Sequence, residues 1–376
     1  MKDSQKRQAC AVIALVGLAL LVGCGGGGRQ GSGSADVPTS DAACSITVHE
    51  GDSLAEAITS ASTGDVICIE AGDYLEHLII DKSLTLRGAD EPSMIRLSGS
   101  ADERPAIQIE GEADVEVTIE GLTVTDSAWN GIYVSGSATA RLRDCVISDN
   151  APHGIVLGGT AHLSVQDTAV LAQRQIGILV GDTGVLTLEG GSVSGNKQGV
   201  AITKRGTATI RETQLSGNRE YGLAAMDSAE ARMTDTVVAE NMRFGVVAGD
   251  AARLSLERCT LTTNGAIGLN VLGSANVRVR QSDVLDNRID GINLADRGVL
   301  DISDSRVISN EAYGIRVYYE GCVPGDGYEP GRAFSGRILG TGNVVNGLPD
   351  PDGNEVGAFC PVYPGEIWPE DLLATP

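Results

Sequence analysis

Nine glycines recur at a nearly constant interval along this chain, and the interval constrains the fold more than any other feature. Seven of the eight successive spacings are 23 residues and the remaining one is 22. Each of these glycines is followed at once by an aliphatic residue. They are Gly131, Gly154, Gly177, Gly199, Gly222, Gly245, Gly268, Gly291 and Gly314. A repeat of this regularity predicts a solenoid, which is built one coil at a time.

Each repeat contains three short apolar segments with alternating inward and outward positions. The first carries an inward pair such as Leu186 and Leu188, and the third carries a pair such as Ile155 and Leu157. The second contributes one column that is aliphatic in every full coil: Ile147, Val170, Val193, Leu215, Val238, Leu261, Val284 and Val307. Period-2 alternation indicates strands. Three strands in about 23 residues leave no room for crossover helices, so the sequence predicts an all-β parallel β-helix with three short strands per coil.

An asparagine column accompanies the glycines: Asn150, Asn196, Asn218, Asn241, Asn264, Asn287 and Asn310, with Gln173 at the missing position. These amides are expected to stack at one corner and to hydrogen-bond along the axis. The asparagines are also expected to tolerate a left-handed backbone there, and the glycines to supply backbone freedom at the turn.

The N-terminal part of the repeat region carries a family resemblance. Residues 51–54, 64–67, 72–76 and 82–88 are similar to the opening of right-handed parallel β-helix proteins of the pectin-lyase-like family. The resemblance implies a right-handed β-helix over residues 44–345, with an N-terminal cap in residues 44–70. Within that cap, residues 54–61 are expected to form a short helix that begins at Ser53. Residues 318–376 are expected to form an irregular, disulfide-closed C-terminal cap.

The first residues are typical of export. Basic residues precede an apolar run over residues 11–22, and the quartet that ends in Cys24 resembles the lipobox of bacterial lipoproteins. The resemblance implies a signal peptide over residues 1–23, lipid on Cys24, and a Gly/Ser-rich tether over residues 24–43. The mature chain is then expected to be anchored to the cell envelope, and to the outer membrane if the cell has one.

Export makes disulfides permissible, and the cysteines sort by position. Cys44 with Cys68 flank the N-terminal segment, and Cys322 with Cys360 flank the C-terminal segment, so each pair is predicted to be bonded. Cys145 and Cys259 fall in one column five coils apart, which is about 24 Å at ~4.8 Å per coil. A disulfide requires Cα atoms within about 7 Å, so these two are predicted to be buried free thiols.

The charge balance limits the partners. The chain has 50 Asp and Glu against 28 Lys and Arg, a formal charge of −22. This excess argues against a nucleic-acid binder, because neutralising phosphates supplies much of the affinity of such proteins. One column of acids is a candidate for a catalytic or calcium-binding site, with an exposed solvated corner as the alternative. Its members are Asp144, Asp167, Glu212, Asp235 and Asp304.

A second set of residues runs against the overall charge and is named here the turn ridge. Its basic members lie between the asparagine and the glycine of successive or nearly successive coils, and its aromatic members and one histidine are assigned to the position just before the glycine. They are Arg174, Lys197, Arg219, Arg243, Arg288, Trp129, Tyr221, Phe244, Tyr313 and His153. Side chains repeating every ~4.8 Å match an extended sugar chain, so the ridge predicts binding of an acidic polysaccharide. The alternative is a set of ordinary exposed turn positions.

Asp350, Asp352, Asn354 and Glu355 form a weak candidate calcium site, for which a plain Asp/Pro/Gly turn is the alternative. No cofactor is otherwise expected. The sequence therefore predicts a non-catalytic binding or structural module of the cell envelope that contacts polysaccharide or another envelope protein. The alternative is a polysaccharide lyase, epimerase or hydrolase, since the pectin-lyase-like fold carries many activities.

Overall fold

The chain winds into a right-handed parallel β-helix of about 12 turns. The structure is a computed structural model that describes residues 42–99, 103–112, 115–322, 329–347, 353–362 and 367–374. The predicted signal peptide, Cys24 and almost all of the tether lie outside the described residues, as do Asp350 and Asp352. Three parallel sheets run the length of the helix, and each coil contributes one strand to each sheet in turn. The predicted fold class is confirmed.

The strands of the three sheets are short. Within the described residues, the first sheet contains Ile46–Val48, Val66–Ile69, Leu84–Gly88, Glu116–Glu120, Thr139–Arg143, His162–Gln166, Val185–Glu189, Thr207–Arg211, Glu230–Thr234, Arg253–Glu257, Asn276–Arg280, Val299–Ser303 and Arg337–Leu339. The second contains Gly72–Leu75, Ile95–Ser98, Thr123–Thr125, Val146–Ser148, Ala169–Leu171, Ser192–Ser194, Gln214–Ser216, Val237–Ala239, Thr260–Thr262, Asp283–Leu285, Arg306–Ile308 and Val344–Val345. The third contains Leu78–Ile80, Ile107–Gly111, Ile132–Gly136, Ile155–Leu157, Ile176–Val180, Gln198–Ile202, Tyr221–Ala225, Phe244–Ala248, Leu269–Val271, Ile292–Leu294, Tyr313–Val317 and Gly357–Cys360.

The core is a column of aliphatic side chains that point into the coils. The predicted inward residues of all three strands, such as Leu186, Val193 and Ile155, are fully buried. Equivalent residues pair directly across neighbouring coils, as Ile155 does with Ile178. The alternation read from the sequence therefore identified both the strands and the face that each one buries.

The N-terminal end of the core is closed by the helix Leu54–Ser60. The Ser53 side chain accepts a hydrogen bond from the Glu56 amide, and the carboxylate of Glu76 accepts one each from the amides of Leu54 and Ala55. These acceptors satisfy amides that have no partner inside the helix. Leu54 is buried against the first coils, so the helix covers what would be an open sheet edge. The predicted cap is confirmed.

The C-terminal end is closed differently. The segment after residue 318 contributes one more strand to each sheet, and the Phe359 side chain from the last strand enters the core. The Trp368 ring packs on Phe359 with a centroid distance of 4.8 Å, and its Nε1 donates to the Pro361 carbonyl at 3.0 Å. Leu372 is fully buried beside them. The C-terminal segment thus combines a final coil with an aromatic cover.

Both predicted disulfides are present. The Cα atoms are 5.6 Å apart in Cys44–Cys68 and 5.7 Å apart in Cys322–Cys360. Cys145 and Cys259 are buried and unbonded, as predicted. Burial raises the pKa of the Cys145 thiol to about 11, so this cysteine is an inert part of the core.

The asparagine column forms a continuous ladder. The Asn218 Oδ1 accepts hydrogen bonds from the backbone N–H and from the side-chain Nδ2 of Asn196, both at 3.1 Å. The Asn218 Nδ2 donates to the Val193 carbonyl at 3.2 Å. Gln173 takes the missing place, since its Oε1 accepts the Asn150 amide at 2.9 Å. The predicted stack is therefore confirmed, and each amide joins two coils.

The predicted role of the glycines is wrong. The repeat glycines do not have left-handed φ angles, and neither do the ladder asparagines. A Cβ atom on Gly222 would lie 2.6 Å from the Val238 side chain and 2.9 Å from the ladder amide of Asn241. Glycine is required because the backbone passes too close to the next coil for a side chain, and not because of its conformational freedom. The left-handed residue is the one before the ladder position, such as Glu240 at φ 57°.

A second ladder, made of carboxylates, lies at the corner between the third and first sheets and was not predicted. Asp227 donates its backbone N–H to the Asp250 carboxylate at 3.0 Å, and Lys204 donates its N–H to the Asp227 carboxylate at 2.7 Å. The same contact joins Gly273 to Asp296 at 3.0 Å. These acids have left-handed backbones and fix one coil to the next.

No helix in the part of the chain that the structure describes is long and apolar enough to cross a membrane.

Replacing one ladder residue tests its contribution to stability. Asn218→Ala leaves the buried Asn196 amide without an acceptor and removes a donor from the Val193 carbonyl. The expected loss in the free energy of unfolding is about 3 to 5 kcal/mol, because each buried polar group left unpaired costs ~1–3 kcal/mol. The measurement is urea unfolding followed by circular dichroism. Asn276→Ala, which removes an exposed asparagine, is the control and should change stability by less than about 0.5 kcal/mol. Equal losses in the two variants would contradict a structural role of the ladder.

Candidate functional site

The predicted acid column lies at the exposed corner between the first and second sheets. The backbones of Asp144, Asp167, Glu212, Asp235 and Asp304 have φ angles between 47° and 52°. Arg258 and Gln281 occupy the same position in their coils, with φ angles of 51° and 48°. The column is therefore defined by a left-handed corner, a conformation in which acids and amides are enriched. It is filled by acidic, basic and amide side chains alike.

The charges in this column are partly paired. Arg258 makes a two-point contact with the Asp235 carboxylate, Nε to Oδ1 at 2.8 Å and Nη2 to Oδ2 at 2.9 Å. This contact lowers the pKa of Asp235. Among the residues that the structure describes, no group of three or more His, Cys, Asp or Glu side chains is arranged to hold a metal ion. The geometry matches a solvated corner, the alternative that the sequence left open.

The basic half of the turn ridge is largely engaged by the protein itself. The Arg219 Nη2 donates to the carbonyls of Gln173 at 3.2 Å and Arg174 at 3.0 Å, so this guanidinium caps the edge of an earlier coil. Lys197 lies 3.9 Å from the Glu220 carboxylate. Arg174 and Arg288 remain exposed, but they are separated along the helix. The ridge does not present a continuous row of available positive charge.

The aromatic side chains near the centre of the turn ridge also contact other side chains of the ridge. Tyr221 and Phe244 stack on each other with a centroid distance of 5.6 Å and an interplanar angle of 2°. The Arg243 guanidinium lies 5.3 Å from the Phe244 centroid and 5.9 Å from that of Tyr221. Because a ring stacks on a sugar through its face, these contacts use part of the surface that a sugar would need.

Trp129 does not share the column of the other ridge aromatics, so that part of the prediction is wrong. It lies two residues before Gly131, and the residue equivalent to His153 is Asn130. Asn130 is buried, whereas Trp129 is 38% exposed. Trp129, Asn130 and His153 belong to coils nearer the N-terminal end of the helix than the coils of the Tyr221 and Phe244 stack.

Asp290 occupies the same column nearer the C-terminal end, beside Tyr313. It is fully buried on the outer face of the third sheet. Its Oδ1 accepts the Tyr313 amide at 3.2 Å, and its Oδ2 lies 2.5 Å from the Arg316 Nη2. Burial raises the pKa of Asp290 to about 6, although the Arg316 charge acts in the opposite direction. A buried ion pair of this kind costs desolvation that its partner only partly offsets.

Of the weak calcium candidate, the structure describes Asn354 and Glu355, whereas Asp350 and Asp352 lie outside the described residues. Asn354 is buried as the last member of the asparagine ladder, where its Oδ1 accepts the Asn310 amide at 3.0 Å and the Asn310 Nδ2 at 2.8 Å. That oxygen is therefore already used. Glu355 is exposed and donates its backbone N–H to the Asn310 carbonyl.

The structure reveals a groove that the sequence reasoning missed. It lies on the outer face of the first sheet and has a volume of about 450 Å³. Its floor and sides are formed by four consecutive strands. The lining residues are Thr207, Ala208, Thr209, Glu230, Ala231, Arg232, Arg253, Leu254, Ser255, Asn276 and Arg278. We call this feature the arginine groove.

The arginines in the groove are spaced one coil apart and alternate between its two sides. Arg232 and Arg278 are both in register with Ser255, and Arg253 is in register with Glu230. Their side chains are 62%, 62% and 74% exposed. Within the lining, three guanidinium groups face one carboxylate.

Each groove arginine also has one acidic neighbour. Arg253 contacts Glu230 at 2.9 Å, Arg232 contacts Glu257 at 3.3 Å, and Arg278 contacts Asp301 at 3.3 Å. Exposed pairs of this type contribute only ~0.2–1 kcal/mol, so they hold the guanidinium groups in place but leave them able to contact an anion. The sequence carried a signal for the groove, because these arginines occupy outward positions of first-sheet strands. The acid column and the turn ridge, by contrast, both lie at turns.

Comparisons with known proteins agree with this architecture. The family model for the right-handed beta helix region matches residues 105–245 and 176–324. No curated protein sequence matches the chain. The A-module of the Azotobacter vinelandii mannuronan C-5 epimerase AlgE4 is similar in structure, with 15% identity, coverage of 81% of this chain and 93% of its own, and a TM-score of 0.59.

Two further solved structures are similar. The catalytic unit of a thermostable GH87 α-1,3-glucanase from Streptomyces thermodiastaticus has 14% identity, covers 88% of this chain and 72% of its own, and has a TM-score of 0.51. A double mutant of the periplasmic alginate epimerase AlgG has 11% identity, coverages of 79% and 83%, and a TM-score of 0.51. At such identities the likeness establishes the fold alone.

The raised pKa of Asp290 predicts a pH dependence of stability. The pKa rises from 3.8 to about 6 on folding, so the folded protein holds this proton more tightly. The associated stability is complete below about pH 4 and is lost as the pH rises through about 6, at ~1.4 kcal/mol per pH unit in between. The test compares the unfolding free energies of wild type and Asp290→Asn across this range. We expect wild type to lose stability relative to the variant by about 3 kcal/mol, whereas a constant difference would contradict the assignment.

Proposed function

Because the chain belongs to the right-handed β-helix family, matched over residues 105–245 and 176–324, we propose that it serves as a long binding surface for acidic polysaccharide. The predicted resemblance to right-handed β-helix proteins is confirmed, and the structurally similar proteins include a mannuronan epimerase, an alginate epimerase and a glucanase. Their activities concern polysaccharides. The proposal for this chain rests on its own surface.

The observation that carries the proposal is the arrangement of Arg232, Arg253 and Arg278 in a groove of about 450 Å³. Coils are ~4.8 Å apart, so the groove offers one guanidinium per coil, alternately on its left and right sides. An extended acidic polymer that runs along the axis can meet each of them in turn. Arginine pairs with carboxylate or sulfate groups through two parallel hydrogen bonds. Individually weak contacts then add along one polymer chain.

Binding without catalysis is the form of the proposal that the groove supports best. Its lining contains one carboxylate, Glu230, and that group is paired with Arg253. Glycoside hydrolysis ordinarily uses a pair of carboxyl groups that flank the scissile bond. We propose no metal ion for this binding, and measurements with and without calcium check that point.

The enzymatic alternative is favoured by the activities of the similar structures. A lyase forms an unsaturated sugar, a hydrolase forms new reducing ends, and an epimerase changes the uronate signals in a proton NMR spectrum. Incubation of the protein with polymannuronate and polygalacturonate, followed by ultraviolet absorbance, reducing-end and NMR assays, distinguishes these activities from binding alone.

We also propose that the protein is held at the cell envelope by lipid on Cys24, with residues 24–43 as the tether. The support is the lipobox-like quartet before that cysteine. Labelled palmitate should be incorporated by the wild-type chain and not by Cys24→Ser. Equal incorporation would rule out this anchor.

The main prediction concerns the groove. Replacing Arg232, Arg253 and Arg278 together with alanine should lower the affinity for polymannuronate or polygalacturonate at least tenfold, because three positive contacts are lost. Wild-type binding should also weaken with added salt, since exposed charges are screened. Isothermal titration calorimetry at two salt concentrations measures both effects.

The matched control is Arg174→Ala with Arg288→Ala, which removes two exposed arginines of the turn ridge and leaves the groove intact. This variant should bind like wild type. A loss confined to the ridge variant would transfer the site to the ridge, and an absence of binding by the wild-type protein would overturn the proposal.

A further inference from the structure

The polar residues of the arginine groove are divided between two columns. Four neighbouring strands of the first sheet are in register there, so their outward residues stack from coil to coil. The columns lie two residues apart along each strand, which is about 6.6 Å. One column contains Thr207, Glu230, Arg253 and Asn276, and the other contains Thr209, Arg232, Ser255 and Arg278. Each coil therefore presents one residue of each column to the groove.

Three consecutive coils each combine one arginine with a different polar residue in the opposite column. The arginine changes column from one coil to the next. Arg232 and Arg278 therefore share a column two coils apart, roughly 9.6 Å, and Arg253 lies in the other column on the coil between them. The residues opposite the arginines can all hydrogen-bond to a hydroxyl group. The pairs on one strand are Arg232 with Glu230, Arg253 with Ser255, and Arg278 with Asn276.

A 1,4-linked uronic acid has the same two-sided character. Its carboxylate lies on one edge of the ring, and ring hydroxyls lie on the opposite edge. Where both linkage bonds are equatorial, each ring is turned over relative to the one before it, so the carboxylates alternate between the two edges of a flat ribbon. One ring advances about as far as one coil, ~4.8 Å. A ribbon along the groove can thus place each carboxylate against an arginine and each hydroxyl edge against the polar residue opposite.

Glu230 fixes the register of such a ribbon. It is the one carboxylate in the described lining of the groove, is 54% exposed, and contacts Arg253 of the next coil at 2.9 Å. Its oxygens accept hydrogen bonds from hydroxyl groups but repel a ligand carboxylate at the same place. A ribbon shifted by one coil would bring a carboxylate against Glu230. The alternation that starts with a carboxylate on Arg232 avoids this repulsion.

We propose that the arginine groove holds three consecutive rings of a uronate polymer with diequatorial 1,4-linkages, and that Glu230 is its specificity-determining residue. Glu230 accepts hydrogen bonds from the hydroxyl edge of the ring whose carboxylate is bound by Arg232. The inference rests on the proposed function, because it names the class of acidic polymer that binds at the same groove. Polygalacturonate has diaxial linkages, and its chain winds so that the carboxylates are not confined to two alternating edges. The carboxylate that it directs toward Glu230 lowers its affinity, so selectivity comes from repulsion as well as attraction.

The first measurement compares three acidic polymers of equal length by isothermal titration calorimetry at physiological salt. Polymannuronate and β-1,4-linked polyglucuronate have diequatorial linkages, and polygalacturonate carries the same charge on diaxial linkages. We expect the first two to bind within about threefold of each other and at least about tenfold more tightly than polygalacturonate. Equal binding of all three through the groove would overturn the inference.

The second measurement removes the charge of Glu230. Glu230→Gln keeps the size of the side chain and an acceptor oxygen, and it also releases Arg253 from its ion pair, which strengthens binding of every acidic polymer. The ratio of the affinities for polymannuronate and polygalacturonate isolates selectivity. This ratio should fall at least about fivefold, because the repulsion that disfavours polygalacturonate is lost.

Glu116→Gln is the matched control. Glu116 occupies the same column five coils earlier, outside the groove. It is 56% exposed and contacts Arg141 at 2.8 Å, so both variants lose one exposed, ion-paired carboxylate. Charges separated by more than ~8 Å are largely screened at physiological salt. The control should therefore leave the affinity ratio unchanged.

The groove variant separates a failure of this inference from a failure of the proposed function. If wild type binds an acidic polymer and the triple alanine variant of Arg232, Arg253 and Arg278 does not, the proposed function stands. The inference alone is then overturned by an affinity ratio near one, or by a Glu230→Gln ratio that changes no more than that of Glu116→Gln. If no acidic polymer binds, or if binding survives in the triple variant, both are overturned.

Discussion

Stacking of identical coils is the constraint on which the rest of this structure depends. Each backbone must pair with the coil before and after it, so every position in the repeat meets its own equivalent about 4.8 Å away. At one corner, the ladder from Asn150 to Asn354 uses this repetition to satisfy buried amides in both directions. At the corner between the third and first sheets, carboxylates such as that of Asp250 accept a backbone N–H from the preceding coil. Glycine is needed where this close approach leaves no space for a Cβ atom.

The same repetition governs the surface. A charged side chain on one coil has neighbours on the next, and most of the prominent arginines have acidic partners there. Arg258 is held by Asp235, and Arg253 by Glu230. In the turn ridge the contacts are of another kind, because Arg219 donates to backbone carbonyls of an earlier coil and Arg243 lies over aromatic rings. The surface is concave at the arginine groove, which is where we propose that an acidic polymer binds.

The fold could be read from particular residues because their reasons are local and repeated. Leu186 and Leu188 alternate with outward residues, and the column of Val193 recurs in every coil, so inward faces follow from spacing alone. The cysteine pairing followed from position at the two ends. The role of Gly222 was misassigned, since spacing shows where glycine recurs but not whether φ or close contact requires it. Trp129 was placed in the wrong column because its coil has the tryptophan one residue earlier than the aromatic in other coils.

By itself the sequence determined the solenoid, its three sheets, the asparagine ladder and both disulfides, because a regular repeat forces equivalent residues into contact whatever the details of the coil. Only the tertiary structure decided which surface is available. Arg232, Arg253 and Arg278 become one groove through the register of the first-sheet strands. The environments of Asn130 and Asp290 depend on side chains from neighbouring coils, because hydrogen bonding and desolvation depend on the distances between those side chains. They cannot be read from the order of residues along the chain.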